Sequence, residues 1–183
     1  VVGARLPGGG AAAAGSAQTT ERTGAADPAG LRVIHDDARR FLRRTDGRWD
    51  VVFLDVFDNL VAVPWSVVTV EALRLVEARL TSDGVVVANV LTPSAGPGAA
   101  FLRRLLATFE EVFGAVRAYP VDPEDDPTST GNVLLLAARS TADLPAMEAS
   151  EVDAEAEGPP LTDGWAPVEY LQARLFLQGI DWR

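Results

Sequence analysis

Two nearly continuous apolar runs, with an amphipathic segment between them, constrain the fold of this chain more than any other feature. The runs are DVVFLD at 50–55 and VVVANV at 85–90. Runs of this length are typical of strands that are buried on both faces of a parallel sheet. The segment at 69–80, TVEALRLVEARL, places its apolar residues at helical spacing and predicts an amphipathic helix. Strands that alternate with helices predict an α/β domain.

The neighbouring sequence continues this alternation. LRVI at 31–34 predicts a short strand, and DDARRFLRR at 36–44 predicts a helix that has an aspartate as its N-cap. SDG at 82–84 predicts a turn that closes the amphipathic helix. Residues 99–113 again carry apolar side chains at helical spacing, so we expect a second long helix there.

The last two predicted strands complete the sheet. AVRAYP at 115–120 and NVLLLAA at 132–138 are joined by an acidic loop that leaves no room for a helix. We therefore expect these strands to pair antiparallel, which is common at the edge of an otherwise parallel sheet. The whole pattern predicts a doubly wound, mostly parallel sheet with an antiparallel edge strand.

The chain divides by composition into three parts. Residues 1–30 are rich in Gly, Ala, Ser and Thr and predict a flexible or remnant segment. Residues 31–140 hold the predicted α/β domain. Residues 141–183 predict an acidic linker followed by a C-terminal tail, with an extended stretch and a short helix near the end. The glycines at 8–10 do not predict a phosphate loop, because no clear strand precedes them.

Missing residue types exclude several kinds of chemistry. The chain has no cysteine and no lysine, and it has one histidine, His35. Thiol nucleophiles, cysteine zinc sites, multi-histidine metal sites, Schiff bases and P-loop lysines are therefore excluded, and we predict no metal site. Carboxylate chemistry, backbone-mediated binding and a reactive cosubstrate remain.

The net charge of −10 bears on possible partners. Nucleic acid is disfavoured because its binding depends on a basic surface, whereas a cationic ligand would be attracted. An acidic surface that simply keeps the protein soluble explains the charge equally directly. No apolar run approaches the roughly 20 residues that span a bilayer, so we predict no membrane span.

Polar residues stand where each predicted strand ends. Asp36 and Asp37 follow the first strand, Asp55 and Asp58 follow the second, and Asn89 lies at the end of the third. Ligands bind at the carboxyl ends of strands in open α/β sheets, so we expect one site to gather these groups. We expect Asp55 to be partly desolvated and able to hold an ammonium group, with Asp58 facing the same cavity.

A purely structural interpretation of the same residues also stands. Asp58 and Asn59 form a turn in this interpretation, and Asp55 caps a neighbouring backbone group. Asp36 or Asp37 serves as the N-cap of the following helix, whereas the functional alternative is a hydrogen bond to an exocyclic amine such as that of adenine. His35 fits packing or hydrogen bonding better than general-base catalysis.

Several segments together resemble a known family. They are LRVIHDDARRFLRRTDGRWDVVFLDVFDN at 31–59, VPWSVVTVEALRLVEARLTSDGVVVANV at 63–90, the Gly131–Asn132 pair, and LTDGWAPVEYL at 161–171. These segments resemble the spermidine synthase family, the polyamine aminopropyltransferases, and especially its bacterial spermidine synthase-like members. The resemblance covers roughly residues 31–175 and implies the Rossmann-like fold of class I methyltransferases.

The resemblance implies an activity and residue roles. Family enzymes transfer an aminopropyl group from decarboxylated S-adenosylmethionine, a cosubstrate that is not permanently bound, to putrescine or a similar amine. Asp37, with the adjacent Ala38, matches the position that contacts the cosubstrate. Asp55 matches the aspartate that binds and deprotonates the attacking amine, and Asp58 matches the aspartate that holds it. A cytoplasmic enzyme, and a possible homodimer, are implied as well.

Some family features have no match in this sequence. The glycine-rich loop after the first strand and the acidic residue after the second strand are not found, so we expect a fold that is incomplete at its N-terminal side. Asp36 replaces the glycine of the usual GDA motif, and Asn59 replaces the proline that usually follows the second aspartate. Two alternatives stay open: a methyltransferase that uses S-adenosylmethionine, and a noncatalytic domain that binds a nucleoside or a polyamine.

Overall fold

Nine helices and strands make up the regular structure of the residues described by the computed structural model, which are 2–4, 34–55, 63–124, 126–148 and 150–177. In chain order they are β1 (Val2–Ala4), α1 (Ala38–Arg44), β2 (Trp49–Leu54), α2 (Val70–Glu77), β3 (Leu80–Thr92), α3 (Ala100–Glu110), β4 (Ala115–Pro120), β5 (Gly131–Ala138) and α4 (Val168–Leu177). Short 3-10 turns lie at Trp65–Val67, Pro97–Ala99 and Thr141–Asp143.

The strands form one mixed sheet in the order β1-β2-β3-β5-β4. β2 and β3 pair parallel, whereas β1 runs antiparallel to β2, and β5 runs antiparallel to both β3 and β4. The α/β class is confirmed, and β2, β3 and β4 point in the same direction. The antiparallel pairing of the last two strands is confirmed too, but β5 lies inside the sheet and β4 forms its edge.

The main core lies on one face of this sheet. Cross-strand neighbours Val86 and Ala137, and likewise Ala88 and Leu135, share that face because side chains alternate along each strand. Helices α1 to α4 all bury apolar residues against it, including Leu42, Leu73, Val76, Phe101, Leu105, Phe109 and Val168. The opposite face is less covered, and its residues Val51, Phe53, Val87, Leu91 and Leu134 are half-buried.

The turn predicted at 82–84 is wrong, because these residues lie within β3. The pairing of β2 with β3 is irregular here. Trp49 pairs with Leu80, whereas Val51, two residues on in β2, pairs with Val85, so β3 contains extra residues between these two pairs. Gly84 allows this close approach, since a Cβ there would stand 2.9 Å from the Trp49 carbonyl oxygen. Arg139 donates to the carbonyl oxygen of Thr81, which lies in the irregular stretch, and to that of Glu77, the last residue of α2. One side chain thus satisfies backbone groups of both elements.

Helix boundaries differ from the predicted ones at both ends. The helix expected at 69–80 extends over Val70–Glu77, with the Thr69 hydroxyl oxygen accepting a hydrogen bond from the Ala72 amide as its N-cap. It ends early because Leu80 is already paired in β3. The helix expected at 99–113 extends over Ala100–Glu110 and follows a 3-10 turn.

The predicted first strand at 31–34 lies mostly outside the described residues, and Ile34 is not in a strand. Within the segment predicted to be flexible or remnant, Val2–Ala4 form β1, which pairs with β2 at the edge of the sheet. Of the strands predicted later in the chain, the one at 115–120 matches β4 at both ends, and the one at 132–138 begins one residue later than β5.

The C-terminal segment packs against the domain. The Val152 amide donates to the Ala118 carbonyl oxygen at 2.8 Å, so the segment runs along the outer edge of β4. Leu161, Val168 and Leu171 join the main core. The division of the chain at residue 140 stays a prediction. Among the described residues, no helix is long and apolar enough to cross a membrane.

Truncation of Leu135, which is fully buried in β5 on the core face, should destabilise the fold. We expect Leu135→Ala to lower the free energy of unfolding by about 2–5 kcal/mol, because it removes buried methyl groups and leaves a cavity. Leu134→Ala, on the half-buried opposite face of the same strand, is the matched control and should cost less. Urea unfolding measures both, and equal losses would contradict a core on one face.

Candidate functional site

Two of the predicted site residues meet at the carboxyl ends of β2 and β3. Asp55 directly follows β2, and Asn89 lies in β3. The parallel register sets Leu54 against Ala88, so Asp55 and Asn89 are next to each other. The Asn89 Nδ2 donates to Asp55 Oδ1 at 3.1 Å. Both side chains are on the sheet face opposite the main core, because each is one residue beyond a core-facing neighbour.

The Asp55 side chain is exposed, so the expectation of partial desolvation is wrong. It sits beyond the last residue of β2, where no helix of the described chain covers this face of the sheet. Among the described residues, its Oδ2 has no hydrogen-bond partner, whereas Oδ1 is held by Asn89. An exposed carboxylate with one oxygen fixed and the other open is suited to contact a cationic group that arrives from solvent.

The sequence also predicts Asp58 and Asn59 at the end of β2. Asp58 and Asn59 lie in the stretch 56–62, outside the described residues. Whether Asp58 faces the same cavity as Asp55, or forms a turn with Asn59, therefore stays a prediction.

The turn before α1 holds the residues predicted to contact a cosubstrate. Asp37 Oδ1 accepts a hydrogen bond from the Arg40 amide at 2.8 Å, so the predicted N-cap is confirmed. Ala38 is the first residue of α1. Asp36 forms ion pairs with Arg40 and Arg44 on the exposed side of the helix. The cosubstrate role of Asp37 and Ala38 stays a prediction.

An ion pair that the sequence did not reveal joins α1 to the C-terminal segment. Arg39 donates from Nη1 and Nη2 to the two carboxylate oxygens of Asp163 at 2.8 and 2.7 Å. The Thr69 hydroxyl donates to the same carboxylate at 2.7 Å, and the Asp163 amide donates to Glu71. The pair thus connects the N-terminal turns of α1 and α2, two residues from Asp37, to a segment that is distant in sequence.

The charges of this pair stabilise each other. Hydrogen bonds from Arg39, with a further one from Thr69, hold the pKa of Asp163 below its ordinary value, although desolvation opposes the shift. The hydrogen bonds to Asp163 raise the pKa of Arg39, although burial opposes this shift too. Asp163 lies within LTDGW, one of the segments that resemble the spermidine synthase family. No local pattern pairs it with Arg39, which is why sequence reasoning missed the contact.

A cavity of about 110 Å³ lies further along the same edge of the sheet. It is formed where β3 and β4 end and β5 begins, and its lining includes Thr92, Asp122, Asp126 and Asn132. The Asp126 carboxylate accepts hydrogen bonds from Thr128 and Ser129, which lower its pKa. These bonds lie within the loop between β4 and β5. Among the described residues, no cluster of three or more histidine, aspartate and glutamate side chains is suited to hold a metal ion.

Comparison with solved structures identifies the fold. A probable spermidine synthase from Corynebacterium glutamicum superposes with a TM-score of 0.50 at 23% identity, covering 81% of this chain and 52% of that one. Human methyltransferase-like protein 13 in complex with SAH gives a TM-score of 0.50 at 16% identity, covering 84% and 63%. A spermidine synthase in complex with the transition state analogue AdoDATO gives 0.50 at 17% identity, covering 85% and 49%.

These similarities confirm the predicted Rossmann-like fold, which is shared by methyltransferases and spermidine synthases. The chain spans from about half to somewhat under two thirds of the length of these proteins. No protein-family model matches the chain, and no curated protein matches it.

Removal of the Asp163 charge should make folding less sensitive to acid. The depressed pKa of Asp163 means that its ion pair contributes stability above the unfolded-state pKa of about 3.9. That contribution is lost as the pH falls through the lower folded-state pKa. The difference in free energy of unfolding between the wild-type protein and Asp163→Asn should therefore shrink as the pH falls below the unfolded-state pKa.

Urea unfolding at a series of pH values measures this difference. Asp46→Asn, at an exposed position in the loop after α1, is the control and should keep the acid sensitivity of the wild-type protein. A difference between wild type and Asp163→Asn that stays constant with pH would contradict the assignment.

Proposed function

We propose that this chain is a spermidine synthase-like domain that transfers an aminopropyl group from decarboxylated S-adenosylmethionine to a polyamine such as putrescine. The observation that carries the proposal is the open Asp55 carboxylate, held by Asn89 at the carboxyl ends of two parallel strands. Ligands of open α/β sheets bind at this edge. The fold is shared with solved spermidine synthases, which supports the same proposal.

The proposed reaction requires a carboxylate at this position. An ammonium group is not a nucleophile, so the amine has to lose a proton before it attacks. Asp55 would bind the ammonium group through its open oxygen, orient it and accept that proton. The nitrogen lone pair then forms a bond to the aminopropyl carbon next to the sulfonium. The carbon–sulfur bond breaks, its electron pair goes to sulfur, and neutral methylthioadenosine leaves without needing an acid.

The charge of the chain agrees with such substrates. Both the amine and the sulfonium cosubstrate are cations, and the formal net charge of the protein is −10. A negative field raises the local concentration of cationic ligands. The chain's lack of cysteine and lysine does not hinder the reaction, because the leaving thioether needs neither a nucleophile nor an acid.

The proposed cosubstrate contact is compatible with the observed helix cap. Asp37 uses Oδ1 for the Arg40 amide, and its Oδ2 has no hydrogen bond among the described residues. The side chain is exposed, so this oxygen can accept a hydrogen bond from an exocyclic amine such as that of adenine. Capping and adenine recognition are therefore not exclusive, and we propose that Asp37 and Ala38 together form the adenine end of the site.

A methyltransferase that uses S-adenosylmethionine is the second candidate. The likeness to human methyltransferase-like protein 13 supports it as much as the likeness to spermidine synthases supports the first, because the TM-scores are equal. A noncatalytic domain that binds nucleoside or polyamine is the third candidate. In its favour, the sequence has no match to the glycine-rich loop by which family members approach the cosubstrate.

The identity of the transferred group separates these candidates. We expect label from the aminopropyl carbons of decarboxylated S-adenosylmethionine to appear in the amine, because the carboxylate at β2 prepares an amine for attack on that carbon. Chromatography of the amine product measures the label. Label that arrives instead from the methyl group of S-adenosylmethionine would show a methyltransferase. Binding of methylthioadenosine or putrescine without any transfer would show a binding domain.

Loss of the Asp55 charge should abolish turnover while leaving the nucleoside end of the site intact. We expect Asp55→Asn to lower kcat by about 100-fold or more, since it removes the proton acceptor. Methylthioadenosine affinity, measured by calorimetry, should stay nearly unchanged. Asp83→Asn, at an exposed position in β3 near the other end of the sheet, is the matched control. Turnover in Asp55→Asn that equals that of the control would remove the assigned role.

A further inference from the structure

Asn89 occupies a position in β3 that packing alone does not explain. Its Oδ1 is buried and has no hydrogen-bond partner among the described residues, whereas its Nδ2 donates to Asp55 at 3.1 Å. A buried acceptor without a partner is unfavourable and uncommon in folded proteins. An apolar residue such as the neighbouring Val87 or Leu91 would fill the same face without that penalty. The hydrogen bond to Asp55 is therefore the interaction that sets the orientation of this amide.

We propose that Asn89 is the positioning residue for Asp55, fixing the direction in which its carboxylate receives a primary amine. This inference rests on the proposed function and specifies how the amine end of that site is organised. Asn89 acts through Asp55, so we do not place it in contact with the amine.

The backbone makes Asn89 a rigid support. β3 is paired on both sides, with β2 on one side and with β5 on the other, where Asn89 lies opposite Leu134. Asp55, in contrast, is the first residue beyond β2 and is exposed, so its own backbone restrains the carboxylate less. A hydrogen bond from a central strand to a residue at a strand end transfers the rigidity of the sheet to the carboxylate.

The hydrogen bond also gives the two carboxylate oxygens of Asp55 different roles. Oδ1 is held by the amide, and Oδ2, which has no partner among the described residues, remains for an ammonium group. An amine bound to a single, fixed oxygen arrives from one direction, which favours alignment with the carbon under attack. Alignment of reacting atoms strongly affects rate, so we expect the loss of this support to act mainly on kcat and less on amine affinity.

The chain offers two substitutions that test this support in different ways. Asn89→Leu has a similar volume and removes the donor. Asn89→Asp keeps the shape but sets a second carboxylate beside Asp55. Asn132, exposed near the start of β5, is the matched control, because Asn132→Leu and Asn132→Asp make the same changes on a strand that does not neighbour β2.

Steady-state kinetics with putrescine and decarboxylated S-adenosylmethionine provide the first readout. We expect Asn89→Leu to lower kcat by roughly 10- to 100-fold, with a smaller change in the KM for putrescine. Asn89→Asp should move the acid limb of the pH profile of kcat to higher pH, because one of two adjacent carboxylates tends to keep a proton. The Asn132 variants should keep the wild-type kcat and pH profile. A residue with a merely structural role would change the melting temperature and leave the kcat of folded Asn89→Leu close to that of the wild-type protein.

A second readout does not depend on turnover. In the wild-type protein, the side-chain amide resonances of Asn89 in ¹H–¹⁵N spectra should shift as Asp55 titrates, and this shift should disappear in Asp55→Asn. Absence of the shift in the wild-type protein would overturn the positioning role, even if Asn89→Leu fails to fold and gives no kinetic data.

Calorimetry with putrescine distinguishes failure of this inference from failure of the proposed function. If the wild-type protein neither binds nor turns over the amine, both are overturned. If the wild-type protein turns the amine over and Asn89→Leu does so with unchanged kcat and pH profile, the positioning role alone is overturned and the proposed function stands.

Discussion

The parallel pairing of β2 with β3 is the constraint on which the rest of the structure depends. Its register sets Leu54 against Ala88, and this single relation determines two things at once. On one face it aligns Val52, Leu54, Val86 and Ala88 for the helices to cover. On the other face it brings the first residue after β2 beside an amide of β3. A shift of one residue would turn the apolar side chains away from the helices and would separate Asp55 from Asn89.

The two faces of the sheet therefore contribute differently, one to stability and the other to the proposed site. The face toward α1–α4 carries the apolar burial that stabilises the domain, with Phe101, Leu105 and Phe109 of α3 completely buried. The opposite face carries half-buried apolar side chains and the polar pair at its carboxyl edge. Stability and the proposed chemistry are thus supported by different sets of residues, and this separation allows site variants to be studied in a folded protein.

The sequence predicts those features that depend on local chemistry. The Asp37 cap, the α2 periodicity and the extent of β4 follow from residues that are close together in the chain, and all three are present. Features that depend on distant partners were missed. Residues 82–84 have the composition of a turn, yet pairing with β2 and the Arg139 side chain keep them in β3. A buried strand suggested a desolvated Asp55, but its exposure depends on which elements cover the strand end.

The ion pair between Arg39 and Asp163 has a consequence for the order in which the protein forms. Its partners are 124 residues apart, so a chain under synthesis can form this contact only after Asp163 has been added. The sheet and α1–α3 are complete in sequence by then. Contacts of such long range are also slow to close in a free chain. The first turn of α1, next to the proposed adenine end, is thus held in place only after the strands of the sheet have been synthesised.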